Sequence, residues 1–111
     1  KGIAASSGNS FVHETESQVI LNGSYNINFT MDLVLKDTGL FDDLAKKLNA
    51  PLEISPKVVE IFKDGQKKYG SRAWSSMIVK RMEDLNNIDF RAKGFPEELV
   101  DNEPEEKGYE I

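Results

Sequence analysis

A chain of 111 residues is enough for one domain and short for two, and 39% apolar against 30% charged residues supports a modest core rather than a disordered coil. The absence of cysteine rules out a disulfide scaffold and thiolate metal ligands, a usage that fits a reducing, cytoplasmic setting. The net charge of −5 gathers at the end of the chain, where residues 97–111 carry seven acids and one Lys. The preceding body is close to neutral, with no basic stripe for nucleic acid and no apolar run of the ~20 residues that a membrane span requires.

In chain order, "KGIAASSG" at residues 1–8 reads as the last turn of a helix entering a Ser-Gly loop. With Lys1 in place of an initiating Met, the chain reads as a piece of something longer. A first helix is predicted from Asn9 to about Leu21, capped by Asn9 or Ser10 and ended by Gly23 in a left-handed conformation. A long second helix is predicted from Thr30 to Leu48. Asn28 or Thr30 can cap it, Asp32 suits its first turn, Lys46 and Lys47 suit its last, and "NAP" at 49–51 stops it. A third opens at "SPK", with Ser55 as N-cap and Pro56 at the first helical position, and ends at Gly70; Gly65 should weaken its middle by ~1 kcal/mol relative to Ala. A fourth is predicted over Trp74–Leu85, where Trp74, Met77, Ile78, Met82 and Leu85 form one stripe at spacings of three and four. Beyond it, Phe90, Phe95 and Leu99 can strap the segment after Ile88 onto the body, ahead of an acidic tail. The expected fold class is all-α, a bundle of about four helices over residues 1–87, with 88–111 as a C-terminal extension.

The second helix contains an adjacent Lys36-Asp37 pair. Taking Phe29 as 0° and about 100° per residue, Leu40, Leu33, Leu44 and Leu48 fall between roughly 20° and 100°, and Phe41, Val34 and Ala45 extend the apolar arc to about 160°. Asp37 falls near 80°, inside the arc, and Lys36 near 340°, at its rim beside Phe29. A carboxylate in a packed face must be hydrogen-bonded, paired or open to a polar cleft, whereas a rim lysine can lay its stem on apolar surface and project its ammonium.

Little else in the chain carries chemistry. The single histidine, His13, sits beside acids on a short helix and reads as surface. The carboxylate pairs Asp42-Asp43 and Glu83-Asp84 diverge by about 100° on their helices, so no metal site is expected. "SSGNS" at 6–10 is too short to cradle a phosphate.

Three stretches in order, "ASSGNSF" (5–11), "NFTMDLVLKDTGLFDDLAKKLNAPLEI" (28–54) and "KYGSRAWSSMIVKRMED" (68–84), resemble the C-terminal domain of the β-hydroxyacid dehydrogenases, nearest the 3-hydroxyisobutyrate dehydrogenase group. A Phe seven residues before Lys-Asp, then Gly-Leu, then a helix ending in "LNAPLEI" is the most specific part. The resemblance implies a two-domain enzyme in which this helical domain follows a dinucleotide-binding domain. Such enzymes move a hydride between NAD or NADP and a small 3-hydroxy acid or its semialdehyde, as homodimers or higher homo-oligomers. It implies that Lys36 reaches the cofactor near its nicotinamide end, and that Phe29 and Asp37 line or support the same cleft. The family's catalytic lysine lies upstream and has no counterpart here, so the chain alone is expected to be inactive. Thr38 stands where the family more often has Leu, and "YGSRAWSS" lacks a Gly and an Asp common there. A rival reading is a free-standing helical interaction domain, with Lys36 solvated and Asp37 a structural cap.

Overall fold

The four helices follow from their local signals, with two instructive exceptions. In a computed structural model of the chain, which describes residues 1–100 and Gly108, α1 spans Phe11–Asn22, α2 Met31–Lys47, α3 Ser55–Tyr69 and α4 Lys80–Asn86, with a five-residue 3₁₀ turn, Ser75–Val79, leading into α4. The fold is all-α. Among the described residues there is no strand, only single bridges pairing Asn26 with Glu98 and Thr30 with Trp74. The acidic tail beyond Val100 lies outside the described residues, Gly108 apart.

The Ser10 hydroxyl accepts the His13 N–H at 3.0 Å, capping α1 as its position predicts. Gly23 ends α1 at φ 94°, and its N–H returns to the Val19 and Ile20 carbonyls. Upstream, Ala5 N–H reaches Lys1 O at 3.1 Å, a single helical turn.

The first exception is Ser55. It does not cap α3 from outside; Ile54 holds that place, and the Ser55 hydroxyl donates to Asp42 of α2. A tertiary acceptor outcompetes the local cap. The second exception is the fourth helix, which does not start at Trp74. The Ser75 N–H is taken by Phe29 O at 2.8 Å, and Met77 N–H turns back to Trp74 O at 3.0 Å in the tighter i→i+3 pattern. That turn rotates the register. Trp74, Met77 and Ile78 stay half-buried, but Met82 is exposed and Leu85 is 77% exposed, while Glu83 takes the buried position. The expected single stripe is split for this reason.

The main packing is α2 on α3, with the 3₁₀ turn seated against α1, α3 and α4. The buried apolar set is small: Val19, Tyr25, Met31 and Ala45. Beside it lie buried Thr15, Thr30, Ser75, Ser76 and Glu83, so the interior is unusually polar. Gly65 is not the weak point its propensity suggests. It is buried, and a Cβ there would come within 2.7 Å of Ile78 Cδ1 and 3.2 Å of Met31 Sδ. The missing side chain lets α2, α3 and the 3₁₀ turn close on one another.

On α2 the buried residues are Met31 and Ala45, at about 200° and 160° on the wheel that starts at Phe29. The packed face is therefore centred near 180°, not within the Leu-rich arc. Leu40, Phe41, Leu44 and Leu48 are all more than half exposed. The periodicity is real, but of the arc it marks only Ala45 is buried and Leu33 and Val34 half-buried, while Phe41 and the later leucines are left open by the described residues.

A second set of contacts ties α3 to α4. The Tyr69 hydroxyl donates to Asp84 at 2.6 Å, Lys80 pairs with the same carboxylate at 2.9 Å, and Arg81 meets Asp64 at 2.6 Å. Partial burial and the Asp84 charge push the Tyr69 phenol up to about 12, and burial with Glu83 nearby also raises Tyr25. A phenol raised in the folded state contributes stability that is complete below the free value of about 10 and is lost as pH rises through the folded value. Absorbance at the tyrosinate band should therefore show two phenols ionising late, with the helical signal falling over about pH 10–12. Titration of every tyrosine near the free value, with no loss of helix, would contradict this.

Candidate functional site

The α2 N-terminus is built by the loop that follows Tyr69. Met31 N–H donates to Ala73 O at 2.9 Å and Asp32 N–H to Ser71 O at 3.1 Å, so two of the helix's free amides are satisfied by that loop. Arg72 pairs with Asp32 at 3.2 Å, and the Thr30 hydroxyl donates to the same carboxylate. Thr30 first, then Arg72, hold Asp32 below the usual carboxylate range. Phe29 lies two residues before the helix, not on it. Its carbonyl is held by Ser75, and its side chain is partly exposed.

Lys36 and Asp37 come together. Their Nζ–Oδ1 separation is 3.2 Å, with the side chains 61% and 55% exposed. Asp37 is thus not buried, contrary to its place in the apolar arc, because that arc is open. An exposed pair of this kind is screened and worth little to stability. No cation–π contact joins Lys36 to Phe29; the one among the described residues places the Arg91 guanidinium 5.3 Å from the Tyr25 ring centroid. What remains is an available ammonium on a helix whose leucine-rich face is bare.

The densest polar cluster lies elsewhere. Glu83, 1% exposed, accepts from the Tyr25 hydroxyl, from Arg91 Nη1 at 2.7 Å and from the Phe90 N–H at 3.0 Å. Arg91 Nη2 also donates to the Tyr25 hydroxyl at 2.8 Å, and Ser76 Oγ donates to Tyr25 O at 2.7 Å. Burial alone would raise the Glu83 carboxyl; the hydrogen bonds from Tyr25, Arg91 and Phe90 outweigh it and hold the group below its usual range. The cluster is fully satisfied and faces inward, as a structural network does. In sequence Glu83 reads only as half of a diverging carboxylate pair. No periodic signal links it to Tyr25, 58 residues away.

The family described as NAD-binding of NADP-dependent 3-hydroxyisobutyrate dehydrogenase matches residues 1–82. The chain belongs to this family. It is 31% identical over 87 residues to 2-(hydroxymethyl)glutarate dehydrogenase of Eubacterium barkeri, covering 78% of this chain and 29% of that protein. It is 29% identical over 78 residues to L-threonate dehydrogenase of Escherichia coli K12, covering 70% of this chain and 26% of that protein, and equally so to the enzyme of the same name from Haemophilus influenzae. The chain thus spans under a third of the length of these curated relatives. No solved structure matches it.

A nicotinamide dinucleotide offers phosphates, hydroxyls and flat rings. The exposed Lys36 ammonium can donate to an anionic or hydroxyl oxygen, and Phe29 keeps part of its ring open. That donor set fits one end of such a cofactor. Among the described residues there is no strand and hence no strand–glycine turn–helix unit for the pyrophosphate. Nor is there a cluster of three His, Cys, Asp or Glu that could hold a metal ion.

Proposed function

We propose that this domain supplies part of the cofactor and substrate cleft of an NAD(P)-dependent oxidoreductase acting on a small 3-hydroxy acid or its semialdehyde. Lys36 meets the cofactor, Phe29 lines the rim and Asp37 orients Lys36. The observation that carries the reading is the availability of Lys36: an exposed ammonium on the Lys-Asp helix of a chain that belongs to this NAD-binding family. When bound, the nicotinamide supplies the hydride chemistry; residues of this chain bind, orient and exclude water. Turnover is assigned to the intact protein, with the catalytic lysine upstream of this domain.

The open face of α2 supports a second part of the proposal. Leu40, Leu44 and Leu48 form a contiguous apolar strip, the kind of surface that is buried against another part of a protein or a second copy. We assign it to the intact dehydrogenase and its homo-oligomer. Substituting Lys36→Ala in the intact protein is expected to raise the cofactor KM on the order of tenfold, the usual loss for one hydrogen bond to a charged group. An unchanged KM would remove Lys36 from the site.

A further inference from the structure

The family match ends at Met82, and the next residue is Glu83, the centre of the buried network. What Glu83 holds is the segment after the match. Residues 88–99 run back across the domain: Ile88 and Phe90 bond Glu83 through their N–H groups, and four further contacts fall on one short stretch. Ala92 N–H donates to Leu21 O at 2.9 Å, Asn22 Nδ2 to Phe95 O at 3.0 Å, the Ser24 hydroxyl to Glu97 O, and Leu99 N–H to Asn26 O at 3.2 Å. All four partners lie in residues 21–26, the end of α1 and the loop that leads to Phe29.

Arg91 pins this segment. Its two terminal nitrogens reach Glu83 and the Tyr25 hydroxyl, and its guanidinium carbon lies over the Tyr25 ring. A Cβ on Gly23 would come within 2.5 Å of Arg91 Nε, so the glycine leaves the guanidinium its passage. The loop needs holding. Tyr25 has φ 56° and Asn28 φ 55°, and the left-handed region is uncommon for a bulky residue such as tyrosine. From the opposite side, Ser76 bonds the Tyr25 carbonyl and Ser75 the Phe29 carbonyl. The loop is clamped between the 3₁₀ turn and the returning segment.

We propose that residues 88–99 act as a brace and that Arg91 is a positioning residue, setting the loop Ser24–Phe29 and, through it, Phe29 at the cofactor rim. The last step rests on the reading of Phe29 given above. The brace itself does not.

The test is Arg91→Met in the 111-residue chain, read by amide hydrogen exchange. The amides of Tyr25, Ile27 and Met31 are all hydrogen-bonded and report on the loop. They should exchange faster on the order of tenfold or more, since a charge-assisted bond is lost, while α3 amides change much less. Equal acceleration in α3, or none in the loop, would overturn the brace. If the Met variant does not fold, Arg91→Lys decides by the same criterion, because it neutralises Glu83 but lacks the fork to reach Tyr25 as well. In the intact protein, Arg91→Met should raise the cofactor KM several-fold with kcat little changed, following Phe29→Ala in direction. A rise with Phe29→Ala but none with Arg91→Met would refute the positioning role. No rise with Phe29→Ala would instead discard the rim reading, leaving the exchange result to judge the brace.

Discussion

Replacing Glu83 with alanine should lower the stability of the chain by about 3 kcal/mol, the lower end of the range for breaking a buried ion pair, because Arg91 keeps contact with solvent. Three donors converge on this carboxylate: the Tyr25 hydroxyl, the Arg91 guanidinium and the Phe90 amide. Removing it leaves the Tyr25 O–H and the Phe90 N–H without their acceptor at once, although the phenol oxygen still accepts from Arg91, and each unpaired donor costs on the order of 1–3 kcal/mol. For a domain of this size the melting temperature should fall by roughly 10–20 °C. Trp74 fluorescence through a urea or thermal transition measures it, and a loss below about 1 kcal/mol would show that the network is ornamental. The pH dependence has a defined sign. The Glu83 carboxyl sits below its usual range in the folded state. Its contribution is therefore complete above the free value of about 4.3 and is lost as pH falls through the lower folded value. Glu83→Gln should remove that part of the acid sensitivity.

The second large effect is expected at Met31, the largest fully buried side chain. Met31→Ala should cost about 2–5 kcal/mol through lost transfer energy and the cavity left where α2, α3 and the 3₁₀ turn meet. Its sulfur lies against the site of a Cβ on Gly65, at 3.2 Å. Adding Gly65→Ala to Met31→Ala should therefore recover part of the loss, since the Ile78 Cδ1 methyl, 2.7 Å from the new Cβ, can swing into the vacated space and the helix gains ~1 kcal/mol of propensity. Urea unfolding of the two single variants and the double variant gives the coupling. A double variant less stable than Met31→Ala alone would refute the packing argument.

Helix positions were legible because their signals are local. Ser10, Gly23, the "NAP" stop and Pro56 act within a few residues of where they stand. The angular reading of α2 is right in its period and off-centre in the side covered within the chain, which takes in Ala45 at the edge of the arc but leaves Leu40, Leu44 and Leu48 open. Period 3.6 identifies an apolar face but not the neighbour that meets it, and here α3 packs on the side of Met31 and Ala45. Asp37 was misplaced with that face. Ser55 and the start of the fourth helix were misread for a related reason: Asp42 and Phe29, distant in sequence, took the hydroxyl and the amide that local rules assign to a cap or a helical turn.

The sequence by itself determined the class of the fold, the helices in order and, through three ordered stretches, the family to which the chain belongs. It also singled out Lys36 and Phe29, because a motif is a property of neighbours along the chain. Only the tertiary structure decided what is buried. It turned Glu83, read in sequence only as half of a diverging carboxylate pair, into a buried centre of hydrogen bonds, and joined it to Tyr25 and Arg91 from two other segments. It also brought the segment beyond the family match into hydrogen bonds with the end of α1 and the start of the loop that leads to Phe29. Burial and hydrogen-bond satisfaction depend on which surfaces meet, and that is set by packing among elements rather than by any one stretch.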